Sequence, residues 1–184
     1  MSLSFTADIR ELTRQHVEKL DAKRQEIENF KKTKREYYSP EIFAKKCAEM
    51  EAVCSELVQT GKDKINECCD AYIQAAREAD LLDGSKITPD AVLLNRQFRV
   101  KAADLTAAFD RAEGNRTMQR LIAEYAAETG LPLDRVFYTA EAKAAGAEVL
   151  RQYAVGALSD PWRFAFLSDD KHFAKICPAA VKMD

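Results

Sequence analysis

The sequence predicts an all-α protein, and three observations support this. First, residues that break helices are few, since the 184 residues include only 6 glycines and 5 prolines, against about 7% and 5% in average chains. Second, apolar residues recur at spacings of three and four, the period of an α-helix. Third, helix-starting and helix-ending residues separate these stretches. More finely, we expect an elongated antiparallel coiled-coil hairpin over residues 1–83 and a compact helical bundle over 84–184.

The first predicted helix covers residues 5–38 and has a narrow apolar stripe among charged residues. The stripe consists of Phe5, Ile9, Leu12, Val17, Leu20, Ile27, Phe30 and Tyr37. Such a helix buries a narrow face and exposes a wide one. Ser39 is a suitable N-cap for the next helix, with Pro40 at its first position. Because a residue before proline disfavours the helical region, the first helix is expected to end near Tyr38.

The second predicted helix starts at Pro40 and has an almost regular apolar stripe. Its members are Phe43, Cys47, Met50, Cys54, Leu57, Gly61, Ile65, Cys68, Tyr72, Ala75, Ala79 and Leu82. One extra four-residue step follows Gly61, and such a stutter unwinds a coiled coil locally without ending the helix. The spacing therefore predicts one helix of about 60 Å that ends at Leu82-Asp83-Gly84. A helix break at Gly61 is the alternative.

This second stripe also predicts association, because the first helix has too few apolar residues to cover it. We expect a homo-oligomer, most simply a two-fold dimer joined along residues 40–82. The residues expected at this interface are Phe43, Met50, Leu57, Ile65 and Tyr72. Replacing Leu57 and Ile65 with Lys should then split the dimer. The alternative is that the C-terminal half covers the stripe and leaves a monomer.

The C-terminal half reads as a series of short capped helices. Thr88-Pro89 starts one, residues 102–112 form the next, and Asn115 caps a helix that ends at Gly130. Thr139 is expected to cap an Ala-rich helix, and Ser159 or Asp160 with Pro161 starts a last short one. The final stretch, DDKHFAKICPAAVKMD, has no clear pattern.

Residues 87–126 carry a family resemblance. The stretches ITPDAVLLN and VKAADLTAAFDRAEGNRTMQRLIAEYA contain an Asn-x-Thr-Met turn leading into a helix that ends in EYA. They resemble segments of small helical proteins encoded by phages and prophages of Gram-positive bacteria. The long charged helices before them are similar to phage scaffolding and assembly proteins in architecture alone. The resemblance implies a structural role and assigns no functional residues.

Charge does not favour a nucleic-acid partner. The net charge is −2, without the basic stripe of nucleic-acid-binding proteins. Residues 102–129 could form a helix-turn-helix around Gly114, but Asp110 and Arg120 stand where a small and an aliphatic residue are usual. A DNA-associated regulator using this helix pair is the alternative function. The basic run at residues 31–35 is interpreted as a solvated helix end, with nucleic acid or an acidic partner as its alternative.

No catalytic, cofactor-binding or metal-binding residue is predicted. The cysteines are Cys47, Cys54, Cys68, Cys69 and Cys177. Their odd number and spacing indicate free thiols rather than a metal site. His16 and His172 have no local cluster of ligands, although Asp169 is near His172 in sequence. The absence of a signal peptide in MSLSFTADIR and of a membrane-spanning apolar run indicates a cytoplasmic protein without membrane contact.

The densest aromatic group lies near the C-terminus, at Trp162, Phe164 and Phe166, with Phe173 nearby. It is expected to pack in the core, and the alternative is a docking patch for another protein. Together these observations predict a non-catalytic helical assembly or interaction protein. The observations fit a prophage-encoded structural or scaffolding-like protein. Its partner would be a second copy of itself, a phage protein or another protein.

Overall fold

The computed structural model describes residues 5–169, 171 and 173. Its α-helices are α1 (Phe5–Thr33), α2 (Pro40–Ala79), α3 (Ala102–Arg111), α4 (Arg116–Thr129), α5 (Ala140–Ala157) and α6 (Pro161–Ser168). Short 3₁₀ helices cover Arg35–Tyr37, Gly84–Lys86 and Pro89–Leu94. No strand occurs in this part of the chain, so the predicted all-α class is confirmed.

Helix α2 runs through Gly61 without interruption, so the alternative of a break there is wrong. The helix ends at Ala79, three residues earlier than expected, and α1 ends at Thr33 rather than near Tyr38. Residues 35–37 continue as a 3₁₀ helix instead, which brings the chain to Pro40 with Tyr38 in the extended region. Ser39, the residue directly before Pro40, lies outside any helix, which agrees with the backbone restriction that a proline imposes on the residue before it.

The predicted helix starts are confirmed where a side chain accepts a backbone N–H. Asn115 accepts from Met118 N at 3.2 Å, Thr139 from Ala142 N at 3.2 Å, and Asp160 from Trp162 N at 3.0 Å. Gly130 ends α4 with a φ of 69°, in the left-handed region that favours glycine. The segment after Thr88 differs, since Pro89–Leu94 is a 3₁₀ helix without a side-chain cap.

The described residues group into two compact units. The first comprises those of Met1–Tyr72 and Ala145–Asp184, and the second comprises Ile73–Ala144. This grouping differs from the predicted division into 1–83 and 84–184. The reason is that α5 and α6, which come late in the sequence, supply side chains to the core of the first unit.

The core of the first unit combines residues from four helices. Its buried members are Ile9, Val17, Leu20, Ile65, Cys69, Leu150, Ala154, Leu158, Leu167 and Phe173. Ring stacking marks both ends of the contact between α1 and α2: the centroids of Phe5 and Tyr72 are 3.9 Å apart, and those of Phe30 and Phe43 are 5.5 Å apart. The two helices are therefore antiparallel.

The second unit has a separate core between α3 and α4. Its buried members are Leu105, Ala108, Phe109, Ala112, Met118, Ile122, Tyr125 and Ala126. Side chains from the 3₁₀ helix Pro89–Leu94 and from residues 131–137 pack against this cluster. The apolar face of α4 therefore packs inside its own unit.

Candidate interaction surfaces

The stripe predicted to join two chains along α2 faces the chain's own core instead. Ile65 is fully buried, and Leu57 is half-buried against the same core. Tyr72 stacks on Phe5, and Phe43 stacks on Phe30. Ile65 therefore cannot contact a second chain while the first is folded, and its assignment to an intermolecular interface is corrected.

Coverage of this stripe is uneven along α2. Around Gly61 the stripe meets Leu158, which directly follows α5, and His16 of α1, whose atoms would lie 3.0 and 3.1 Å from a Cβ placed on the glycine. Met50 and Cys54, nearer the start of α2, are only half-buried. The C-terminal helices thus cover the second half of the stripe, the arrangement that sequence analysis left as its alternative.

The aromatic group near the C-terminus divides between core and surface. Phe164 is half-buried against the first core, and Phe173 is buried within it. Trp162 is 77% exposed and Phe166 is 40% exposed. Residues four apart on a helix are neighbours on one face, so Trp162 and Phe166 form an outward-facing pair on α6. We refer to them as the α6 aromatic pair.

A cavity lies beside the α6 aromatic pair. It has a volume of about 450 Å³ and is lined by Gln152, Tyr153, Arg163 and Phe166. Gly156 lets the Arg163 side chain lie close to α5, because a Cβ there would lie 2.5 Å from an Arg163 guanidinium nitrogen. Its lining combines two aromatic rings with the polar side chains of Gln152 and Arg163, so it offers a partner side chain both apolar and hydrogen-bonding contacts.

Another surface lies on the side of α2 that points away from the core. We define this outer face as Ile42, Lys45, Ala48, Glu49, Ala52, Val53 and Glu56, all of which are exposed. Ile42 is 51% exposed and Val53 is 40% exposed, a high exposure for aliphatic side chains. Sequence analysis missed this face. The available signal was that both residues lie off the 3–4 stripe of the same helix.

The arginines of the helix pair 102–129 are neutralised by carboxylates. Arg111 pairs with Asp90 through two contacts of 3.0 Å, and its guanidinium keeps the pKa of that carboxyl below its ordinary value. Arg120 pairs with Glu124 at 2.7 Å. A DNA reader presents such cations to phosphates, so this pairing disfavours the DNA-associated alternative.

Arg116, the remaining arginine of this pair, belongs to a buried polar network in the second unit. The Asp80 side chain, nine-tenths buried, accepts hydrogen bonds from the Arg116 guanidinium and from the backbone N–H of Ala140. Arg116 also donates to the carbonyl oxygen of Tyr138 at 2.6 Å and lies over the Phe137 ring. These contacts join the end of α2 to the starts of α4 and α5, which is a structural role.

The basic run at residues 31–35 is exposed, as expected for a solvated helix end. Lys31 donates to Glu51 at 2.7 Å, and this hydrogen bond raises the pKa of the lysine. Lys32 pairs with Glu28 at 3.3 Å, and the Lys34 ammonium lies 5.1 Å from the Tyr37 ring centroid.

The four described cysteines are free, and Cys177 lies outside the described residues. Burial raises the pKa of the Cys69 thiol to about 11 and also raises that of Cys68. His16 is buried with Nδ1 2.9 Å from the Leu12 carbonyl oxygen, while His172 lies outside the described part of the chain. Residues 5–169, 171 and 173 contain no group of three potential metal ligands.

No protein-family model, curated protein or solved structure matches the chain. None of the helices described above has the length and apolar character needed to cross a bilayer.

Proposed function

We propose that this chain is a non-catalytic helical protein that acts by binding other protein chains, including copies of itself. The observation that carries this proposal is the α6 aromatic pair, in which the only tryptophan of the sequence is 77% exposed. Exposed aromatic residues beside a cavity are typical anchors of protein interfaces. Burying each ring on a partner would release roughly 25 cal/mol per Å² of apolar surface.

The proposal includes the finer architecture expected from the sequence. Helices α1 and α2 supercoil as a coiled-coil hairpin near their connecting turn, where Phe43, Cys47, Met50 and Cys54 keep the 3–4 spacing. The assembly role is that of a prophage-encoded structural or scaffolding-like protein of the cytoplasm. The resemblance of residues 87–126 to phage proteins supports this setting.

Sedimentation equilibrium of the full chain tests self-association. We expect a dimer at tens of micromolar, and a chain that remains monomeric there contradicts the self-assembly part of the proposal. Because the sequence has one tryptophan, acrylamide quenching of its fluorescence reports directly on α6. Weaker quenching on association would place the α6 aromatic pair in the interface, and unchanged quenching would leave it for a different protein.

A further inference from the structure

The apolar stripe of α2, which was predicted to join two copies, packs against the chain's own core. A dimer along α2 therefore requires a different surface. The outer face of α2 is the side of the same helix that remains exposed. Lys45 and Glu56 are eleven residues apart, which is three helical turns, and therefore lie on the same side. Neither has an ion-pair partner within the part of the chain that the structure describes.

Charge is distributed unevenly along the first half of α2. Residues 40–46 contain two basic side chains and one acidic one, and residues 47–60 contain three acidic side chains and no basic one. Helix α2 thus begins with a positive segment, and a negative segment follows it. Two antiparallel copies bring each positive segment against the other copy's negative segment, whereas two parallel copies bring like charges together.

We infer that a second copy of this chain packs antiparallel on the outer face of α2, with Lys45 of each copy against Glu56 of the other. This inference names the partner and the surface for the self-association proposed above and rests on that proposal. The two-fold axis crosses the helices between residues 50 and 51. Ala48 of one copy then lies opposite Val53 of the other, and Glu49 lies opposite Ala52.

The side chains at the centre of this contact suit a close approach of two helices. Ala48 and Ala52 are small and exposed, so the backbones can come near each other. Val53 supplies apolar surface that the isolated chain leaves 40% exposed. The two Lys45–Glu56 pairs flank this centre, and they set the direction and register of the helices in the way that charged pairs do in coiled coils.

A charge exchange tests the arrangement. We would prepare Lys45→Glu and Glu56→Lys separately and measure dimerisation of each by sedimentation equilibrium at low salt. Each variant alone places two like-charged pairs in its own dimer, and we expect the Kd to rise about ten-fold or more. A one-to-one mixture restores both opposite-charge pairs in the heterodimer, so it should associate as tightly as the wild type.

Lys19→Glu is the matched control, because Lys19 is an exposed lysine of α1 and lies outside the outer face. It makes the same charge change and should leave the Kd unaltered. Far-UV circular dichroism should show wild-type helix content in all three variants, since each change is at an exposed position. Added salt should weaken the wild-type dimer, because exposed ion pairs are screened.

The possible outcomes separate this inference from the proposed function. A wild-type dimer whose Kd is unaffected by either variant overturns the outer face as the interface but leaves self-association standing. If both variants dimerise more weakly and their one-to-one mixture does not regain the wild-type Kd, the antiparallel arrangement is overturned. A wild-type chain that is monomeric at tens of micromolar overturns the inference and the proposed self-association together.

Discussion

The two halves of the α2 stripe have the same apolar spacing but differ in what covers them. Ile65 and Cys69, in the second half, are fully buried by residues of α1, α5 and α6. Phe43 and Met50, in the first half, remain half-exposed even though Phe43 stacks on Phe30 of α1. Periodicity therefore identifies the buried face of a helix, whereas distant parts of the chain determine how completely each turn is buried.

Shortening one side chain to alanine in each half of the α2 stripe should give the largest effect, measured on the free energy of unfolding. Ile65→Ala removes a fully buried side chain from the core, so we expect it to lower the free energy of unfolding by about 3 kcal/mol. Met50→Ala removes a half-exposed side chain and should cost about 1 kcal/mol or less. Urea denaturation followed by circular dichroism measures both. Equal losses would show that the two halves are covered alike.

The rate of thiol modification should also differ between the two halves of the stripe, and we rank this effect second. Burial raises the pKa of Cys69 from its ordinary 9.0 to about 11, so its thiolate population is about one hundredth of the ordinary value. Cys54, in the first half, is half-buried. A thiol reagent under native conditions should modify Cys54 about a hundred-fold or more faster than Cys69, as measured by peptide mass spectrometry. Similar rates at the two sites would contradict the difference in coverage.

The same pKa shift has a consequence for stability. The pKa of Cys69 is higher in the folded chain than in the unfolded chain. The stabilisation that this difference gives to the folded chain is complete below pH 9.0 and is lost as the pH rises towards about 11. The unfolded chain loses its proton first over this window. Replacement of Cys69 by Ala should therefore flatten the decline of the unfolding free energy between these pH values.

Two glycine substitutions should give the smallest changes in the free energy of unfolding, and these changes should have opposite signs. Gly61→Ala places a methyl group 3.0 Å from Leu158 and 3.1 Å from His16, both buried. Overpacking of such a site costs about 1–3 kcal/mol, which exceeds the gain of about 1 kcal/mol in helix propensity. We expect Gly61→Ala to lower the unfolding free energy by about 1 kcal/mol.

Gly156→Ala is the matched control in α5. There the added methyl group meets the outer part of the Arg163 side chain, which is exposed and can move away. The propensity gain should therefore prevail and raise the unfolding free energy by about 0.5–1 kcal/mol. Thermal unfolding of both variants measures the signs, and a stabilised Gly61→Ala would show that α2 and α5 have room at their contact.

Local features of this chain were predictable because each depends on a few neighbouring residues. The caps at Asn115, Thr139 and Asp160 form as expected, since each requires only a side-chain oxygen and a backbone N–H two or three residues later. The extent of α2 through Gly61 follows from the unbroken 3–4 spacing on both sides of the glycine. The exposure of the α6 aromatic pair was only half predictable, because sequence spacing places Trp162 and Phe166 on one face without showing whether that face is covered.

The helical class, most helix starts and the apolar stripe of α2 follow from local patterns in the sequence. Three other features follow only from the folded chain: α5 and α6 cover Ile65, Asp80 joins Arg116 to the start of α5, and the outer face of α2 stays exposed. These outcomes depend on contacts between residues far apart in the chain, such as Gly61 with Leu158. A repeating pattern along one helix states which side seeks apolar contact, but it contains no information about which other segment provides it.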